Sequence, residues 1–112
     1  MRKIERQMLQ ALTDQTNWSG SNTAVTYNPE FKCSSVFLHG HKIAKYGHSD
    51  RSLSVNNCGY ETNTTKSRLN VLIDFVKGSD PTQNGIFQKN WNWWLISDGE
   101  LLDFPSNSWV AV

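Results

Sequence analysis

Two cations, three hydroxyls and three tryptophans set the chemistry this chain could offer. In Thr64-Thr65-Lys66-Ser67-Arg68-Leu69-Asn70, the hydroxyls and cations fall where an amphipathic run begins. A helix starting there presents unpaired amides and the positive end of its dipole, so Thr65, Lys66 and Arg68 would complete a pocket for an anion, phosphate above all. In Ile86 to Trp94, Lys89 stands beside Trp91, Trp93 and Trp94. Strand alternation sends Trp94 to the face opposite Trp91 and Trp93, which leaves an indole free near Lys89 and Arg68 to stack a base or anchor a protein. The candidate binding set is therefore Thr65, Lys66, Arg68, Lys89 and Trp94. The plainer alternatives are ordinary capping with two exposed cations at the first stretch, and core packing of all three indoles at the second.

Other chemistry has weaker support. His39-Gly40-His41, with His48, Cys33 and Cys58, offers imidazoles and thiols of the kind that bind zinc. No Cys-x-x-Cys pair accompanies them, and two histidines flanking a hairpin glycine can point to opposite faces, so exposed turn histidines are expected rather than a metal site. Nothing matches Gly-x-Ser-x-Gly, a phosphate-binding glycine-rich loop or His-Glu-x-x-His. The acids Glu61, Asp74, Asp80, Asp98, Glu100 and Asp103 are scattered beside turns or on the polar side of a helix, which reads as solvated surface charge. An enzyme is not expected, and neither is a cofactor.

Composition sets the wider bounds. The chain has 112 residues, the size of one domain, and is expected to form a single domain over 1–112. Eleven Lys and Arg face ten Asp and Glu, giving a net charge of +1. That balance supplies no global field toward nucleic acid or an anionic membrane, and it argues equally against a DNA mimic coated in carboxylates. No apolar run reaches transmembrane length, and the charged start Met1-Arg2-Lys3-Ile4-Glu5 leads into no signal-peptide core. A cytosolic protein is expected, with Cys33 and Cys58 as two reduced thiols.

The elements that must position these residues are short. Ile4, Met8, Leu9 and Leu12 form one stripe of a helix over residues 3–13. Residues 17–22 read as a turn-rich loop with Trp18 as a lid over the end of the core. Short alternating segments follow at Ala24–Tyr27, Ser35–Leu38, Ile43–Tyr46 and Ser52–Val55, with Gly40-His41 as a tight hairpin turn, so an antiparallel meander is predicted. Asn63, Thr64 and Thr65 are each competent N-caps. From there Leu69, Leu72, Ile73 and Val76 line one face of a helix that ends at Lys77-Gly78. After a loop over 79–85, residues 86–96 are aromatic and β-branched, with Lys89-Asn90 as a turn or bulge dividing two strands. Asp98-Gly99 is a strong hairpin signal before Glu100–Phe104, and the tail from Pro105 has Trp109 and Val110 to anchor it but no clear period.

Five segments together carry a resemblance: Met1–Glu5, Trp18–Thr23, the Leu38-His39-Gly40-His41-Lys42-Ile43-Ala44 hairpin, Gly59–Asn70 with its Thr-Thr-Lys-Ser-Arg-Leu-Asn run, and Phe87–Trp93. In this order they resemble small proteins of unknown function encoded by tailed bacteriophages and prophages. The resemblance covers most of residues 1–104 and leaves the tail after Phe104 outside it. His41 stands where the pattern has Asn, which weakens the metal reading further. The resemblance implies a phage accessory protein working in the bacterial cytoplasm, and it brings no established activity with it.

The expected fold is α+β: an antiparallel sheet of about six or seven short strands with a short N-terminal helix and one central helix packed on it. The expected function is non-enzymatic binding, most simply inhibition or modulation of a host bacterial protein, for example in an anti-phage defence system. The alternative is a nucleic-acid-binding accessory protein using the basic and aromatic patch at the start of the central helix. A third, weaker alternative is a small hydrolase or metal-binding protein. No membrane partner is expected, and the oligomeric state is open.

Overall fold

The computed structural model describes all of residues 1–112. The fold is α+β, with two helices and nine strands in two antiparallel sheets. Helix α1 spans Lys3–Asp14, and β1 (Trp18–Gly20), β2 (Thr23–Asn28), β3 (Cys33–Leu38), β4 (His41–Gly47) and β5 (Ser52–Val55) follow as a meander. Helix α2 spans Asn63–Lys77, then β6 (Gly85–Lys89), β7 (Asn92–Ser97), β8 (Glu100–Asp103) and β9 (Val110–Ala111) complete the chain. The large sheet runs β1-β2-β3-β4-β5-β9 and the small one β6-β7-β8. Helix α1 contacts β1, β2 and α2, while α2 contacts β5 and β6, so α2 joins the two sheets.

Several boundaries differ from the sequence reading, each for a local reason. Residues 17–22 are not all loop: Trp18 pairs with Val25 and Gly20 with Thr23, making β1 an edge strand. Trp18 is half-buried against the core from that strand. The β3–β4 turn is His39-Gly40 rather than Gly40-His41, with both residues at positive φ (51° and 79°), the twist that two-residue hairpins favour. The tail does find a partner, since Val110 pairs with Val55 and Ala111 with Ser54. The last three long strands form a sheet of their own instead of extending the meander, because α2 lies between β5 and β6.

The core explains the pairing. Val25 of β2, Val36 and Leu38 of β3, and Leu53 and Val55 of β5 alternate inward. A bulge opposite Val36 and Phe37 leaves Ile43 without a partner in β3, so Ile43 and Ala44 are both buried despite being consecutive. Met8 and Leu12 from α1 and Leu69, Leu72 and Ile73 from α2 close over this face. Each such fully buried aliphatic contributes about 1.5–3 kcal/mol. On the other side of α2, Ile86, Trp93 and Leu95 continue the core into the small sheet.

Candidate functional site

The start of α2 is built differently from expectation. Thr62, not Asn63, Thr64 or Thr65, is the N-cap: its extended backbone (φ −109°, ψ 162°) lets its Oγ1 accept the Thr65 amide at 3.1 Å. Thr65 is thereby turned inward and buried, its hydroxyl 3.0 Å from that of Thr62.

Arg68 is also turned inward, only 2% exposed, and it forms an ion pair with Glu5 of α1 at 2.9 Å. Its Nε donates to Thr23 Oγ1 at 3.1 Å and its Nη2 to Asn22 Oδ1 at 3.2 Å. Glu5 in turn accepts from Ser67 Oγ at 2.6 Å and from the Arg2 amide at 3.2 Å. Burial alone would raise the Glu5 carboxyl. The hydrogen bonds from Ser67, Arg2 and Arg68, with the Arg68 charge, outweigh it and hold the group below its ordinary 4.5. This network locks α1, α2 and the β1–β2 turn together. Arg68 and Thr65 are therefore scaffold, and the anion pocket of Thr65, Lys66 and Arg68 does not form.

The three remaining candidates separate. Lys66 is half-buried, its ammonium 5.9 Å from the centroid of Trp93. Trp93 points into the core, and its buried Nε1 has no hydrogen-bond partner. Lys89 and Trp94 stand on the far side of the small sheet, away from the core.

The reason is the β6–β7 turn. The register pairs Lys89 with Asn92 and Phe87 with Trp94, so the turn is Asn90-Trp91 rather than Lys89-Asn90. A two-residue turn inverts parity between its strands, which puts Phe87 with Trp94 instead of with Trp93 and Leu95. Trp91 belongs to neither face. It sits at the hairpin tip, 90% exposed, with φ at 67° after Asn90 at 53°.

The outer face of the small sheet thus carries the half-buried Phe87, Trp94 and Ile96 and the exposed Leu101. Leu101 is 58% exposed and pairs with Ile96, while Asp103 pairs with Trp94. A shallow depression of about 280 Å³ lies between Phe87, Lys89, Trp94 and Leu101. Sequence reasoning found Lys89 and Trp94 but missed Leu101 and the position of Trp91. The signal for Trp91 was present: Asn-Trp between two pairing strands occupies the place of the Asn-Gly that such turns favour.

The histidines and cysteines are dispersed. His39 and His41 are exposed, but His48 is half-buried, contrary to the exposed turn residue expected, because Tyr27 and Tyr46 pack edge-on against it. Its Nε2 lies 2.8 Å from Ser34 Oγ, and burial lowers its pKa. Ser34 is fully buried, and no carboxylate bonds the imidazole, so the pair joins β3 to the turn after β4. Cys33 and Cys58 are free thiols, Cys58 donating to the Lys42 carbonyl at 3.1 Å with its thiol pushed up by burial. No three His, Cys, Asp or Glu side chains gather where they could hold a metal ion. No helix is long and apolar enough to cross a membrane.

Among curated proteins and among solved structures, none matches the chain. A family model described as Kyanoviridae Gp96 protein matches residues 1–111, running past Phe104, where the resemblance read from the sequence stopped, through the tail that forms β9.

Proposed function

Because the chain belongs to the Kyanoviridae Gp96 family of phage proteins, we propose that it is a phage accessory protein that acts in the infected host by binding a host protein through its small sheet. The observation that carries this reading is Trp91. A bulky side chain at positive φ costs about 1–2 kcal/mol relative to glycine, and this one stays 90% exposed, burying almost none of its surface in return. Strain held at an exposed aromatic is accounted for when the ring is used outside the molecule. Trp91 stands beside Trp94, whose outer face also carries Phe87 and Leu101, an apolar centre with Lys89 and Asp103 at its rim, the composition of a contact surface. Modulation of a host process such as a defence system fits a binding domain of this kind.

The nucleic-acid alternative is less well supported, since Arg68 is spent on Glu5 and Lys66 lies on the opposite side of the small sheet from Lys89. Affinity capture of the tagged protein from infected cells tests the choice. A specific host protein retained by the native chain and lost by Trp91→Gly supports the reading. Capture that is unchanged by both Trp91→Gly and Trp94→Ser, or capture of nucleic acid alone, overturns it.

A further inference from the structure

The small sheet has two edges, and they are finished differently. On β6, the amide and carbonyl of Ile86 are both taken by the side chain of Asn70, which closes that edge from α2. On β8 nothing plays this part. That strand pairs only with β7, and its other side is open.

The register decides which backbone groups face the open side. In an antiparallel ladder, pairs that exchange hydrogen bonds alternate with pairs whose amides and carbonyls point away from the partner strand. The Asp98-Gly99 turn closes on Ser97 and Glu100, and at the far end the Phe104 amide donates to the Trp93 carbonyl at 3.2 Å. Both ends give the same phase: Ser97–Glu100, Leu95–Leu102 and Trp93–Phe104 are the bonded pairs. The amides and carbonyls of Leu101 and Asp103 therefore point outward, and no group of the protein takes them. Pro105 has no N–H, so the row of donors ends at Asp103.

The side chains along this edge carry one sign. Glu100 and Asp103 are exposed at its two ends, with the exposed Leu101 and the half-buried Leu102 between them. Glu61 joins Asp103 in the wall of a recess of about 420 Å³ beside Trp91 and Trp94, and no Lys or Arg lines it. The two ion pairs of the chain, Glu5–Arg68 and Lys77–Asp98, involve none of Glu61, Glu100 and Asp103. Such an edge disfavours a second copy, which would bring the same carboxylates to the seam. It suits a strand of opposite charge.

We infer that an extended segment of the partner protein adds to β8 as a fourth strand of the small sheet, with apolar residues opposite Leu101 and Leu102 and arginine or lysine opposite Glu100 and Asp103. Its backbone bonds the outward amides and carbonyls of Leu101 and Asp103, and its apolar side chain beside Leu101 extends the face that holds Trp94. This rests on the small sheet being the contact proposed above, and adds the form and charge of what it meets.

Amide NMR of the full chain, titrated with acetyl-Thr-Arg-Val-Val-Arg-Thr-amide and with the same peptide carrying glutamate for arginine, tests the added strand without a host protein. Expected are saturable shifts and slowed hydrogen exchange at Leu101 and Asp103 with the arginine peptide, and none with the glutamate peptide. Leu101→Pro removes an outward N–H that the protein does not use, and should weaken binding about tenfold or more. Asp103→Lys keeps the outward amide and reverses the charge at an exposed position, so it should weaken the arginine peptide about threefold and keep the test open if the proline variant fails to fold. No saturable shifts at Leu101 and Asp103, equal binding of the two peptides, or binding indifferent to both substitutions overturns the inference. So does protection of those amides that rises with protein concentration alone, which would identify a second copy as the occupant. Any of these results beside a host protein captured through Trp91 would reject the added strand and leave the small-sheet contact standing.

Discussion

The two regions flanking α2 invert the usual placement of residue types. Where α2 meets α1, a glutamate and an arginine are sealed inside the protein; on the small sheet, tryptophan, phenylalanine and leucine face outward. At the first region the ionic groups are all hydrogen-bonded: Arg68 to Glu5, Thr23 and Asn22, and Glu5 also to Ser67 and the Arg2 amide. At the second, Trp94, Ile96 and Leu101 have cross-strand partners, and Trp94 and Ile96 remain only half-buried with Leu101 exposed. The contrast separates two uses of a side chain. Buried charge here fixes how the elements meet, and the exposed aromatic surface is the one proposed to meet a partner. The sequence reading put Arg68 and Trp94 in one candidate set, and burial separates them.

The largest break in this comparison is Arg68→Ala, which leaves the Glu5 carboxylate buried and uncompensated. We expect a loss of about 3–5 kcal/mol in denaturant unfolding, most of it recovered in the double variant Glu5→Leu/Arg68→Met. If Arg68→Ala cost no more than an ordinary surface change, the arginine would again be free to bind. Next in size is Asn70→Ala. The Asn70 side chain donates to the Ile86 carbonyl at 2.9 Å and accepts its amide at 2.7 Å, acting as a strand partner for the edge of β6. Its loss should cost about 2–3 kcal/mol and raise hydrogen exchange in β6 more than in β3.

Acid should act on the network through Glu5. Its folded pKa lies below its ordinary 4.5, so its stabilisation is fully present above that value and is lost as pH falls through the depressed folded one. Unfolding measured below pH 4.5 should show that loss in the native chain and a shallower one in Glu5→Gln. The smallest effect on stability belongs to the tip of the small sheet. Trp91→Gly should leave unfolding unchanged or raise stability by about 1 kcal/mol, because glycine carries no penalty at φ 67°. A marked destabilisation would mean that the indole packs within the molecule and would remove it from the proposed contact.

Much of this arrangement was legible in the sequence, and the misses have common causes. Leu69, Leu72 and Ile73 announced α2, and Asp98-Gly99 announced the β7–β8 hairpin, where both residues do have positive φ (50° and 81°). Arg68 was assigned to the surface because it is charged, yet it lies four residues before Leu72 and three after Thr65, in phase with the apolar stripe. Glu5 is likewise in phase with Met8 and Leu12, at spacings of three and seven. Two charges of opposite sign, each on the buried face of a helix, are a readable sign of a buried pair. Lys89 and Trp94 do share one face of the small sheet, but the turn between their strands lies one residue later than expected, which takes Trp91 out of the strand and puts it at the hairpin tip.

The sequence by itself determined both helices, the longer strands and the α+β class, because helix and strand periods and turn residues are local properties of consecutive side chains, whereas β1 and β9 are strands only by virtue of the neighbours they pair with. The tertiary structure alone decided which residues are available for binding. Arg68 was withdrawn by a glutamate 63 positions away, and Trp91 was put outside by a hairpin register. Each outcome depends on a partner distant in the chain or on the pairing of two strands, and such contacts exist only once the elements have packed.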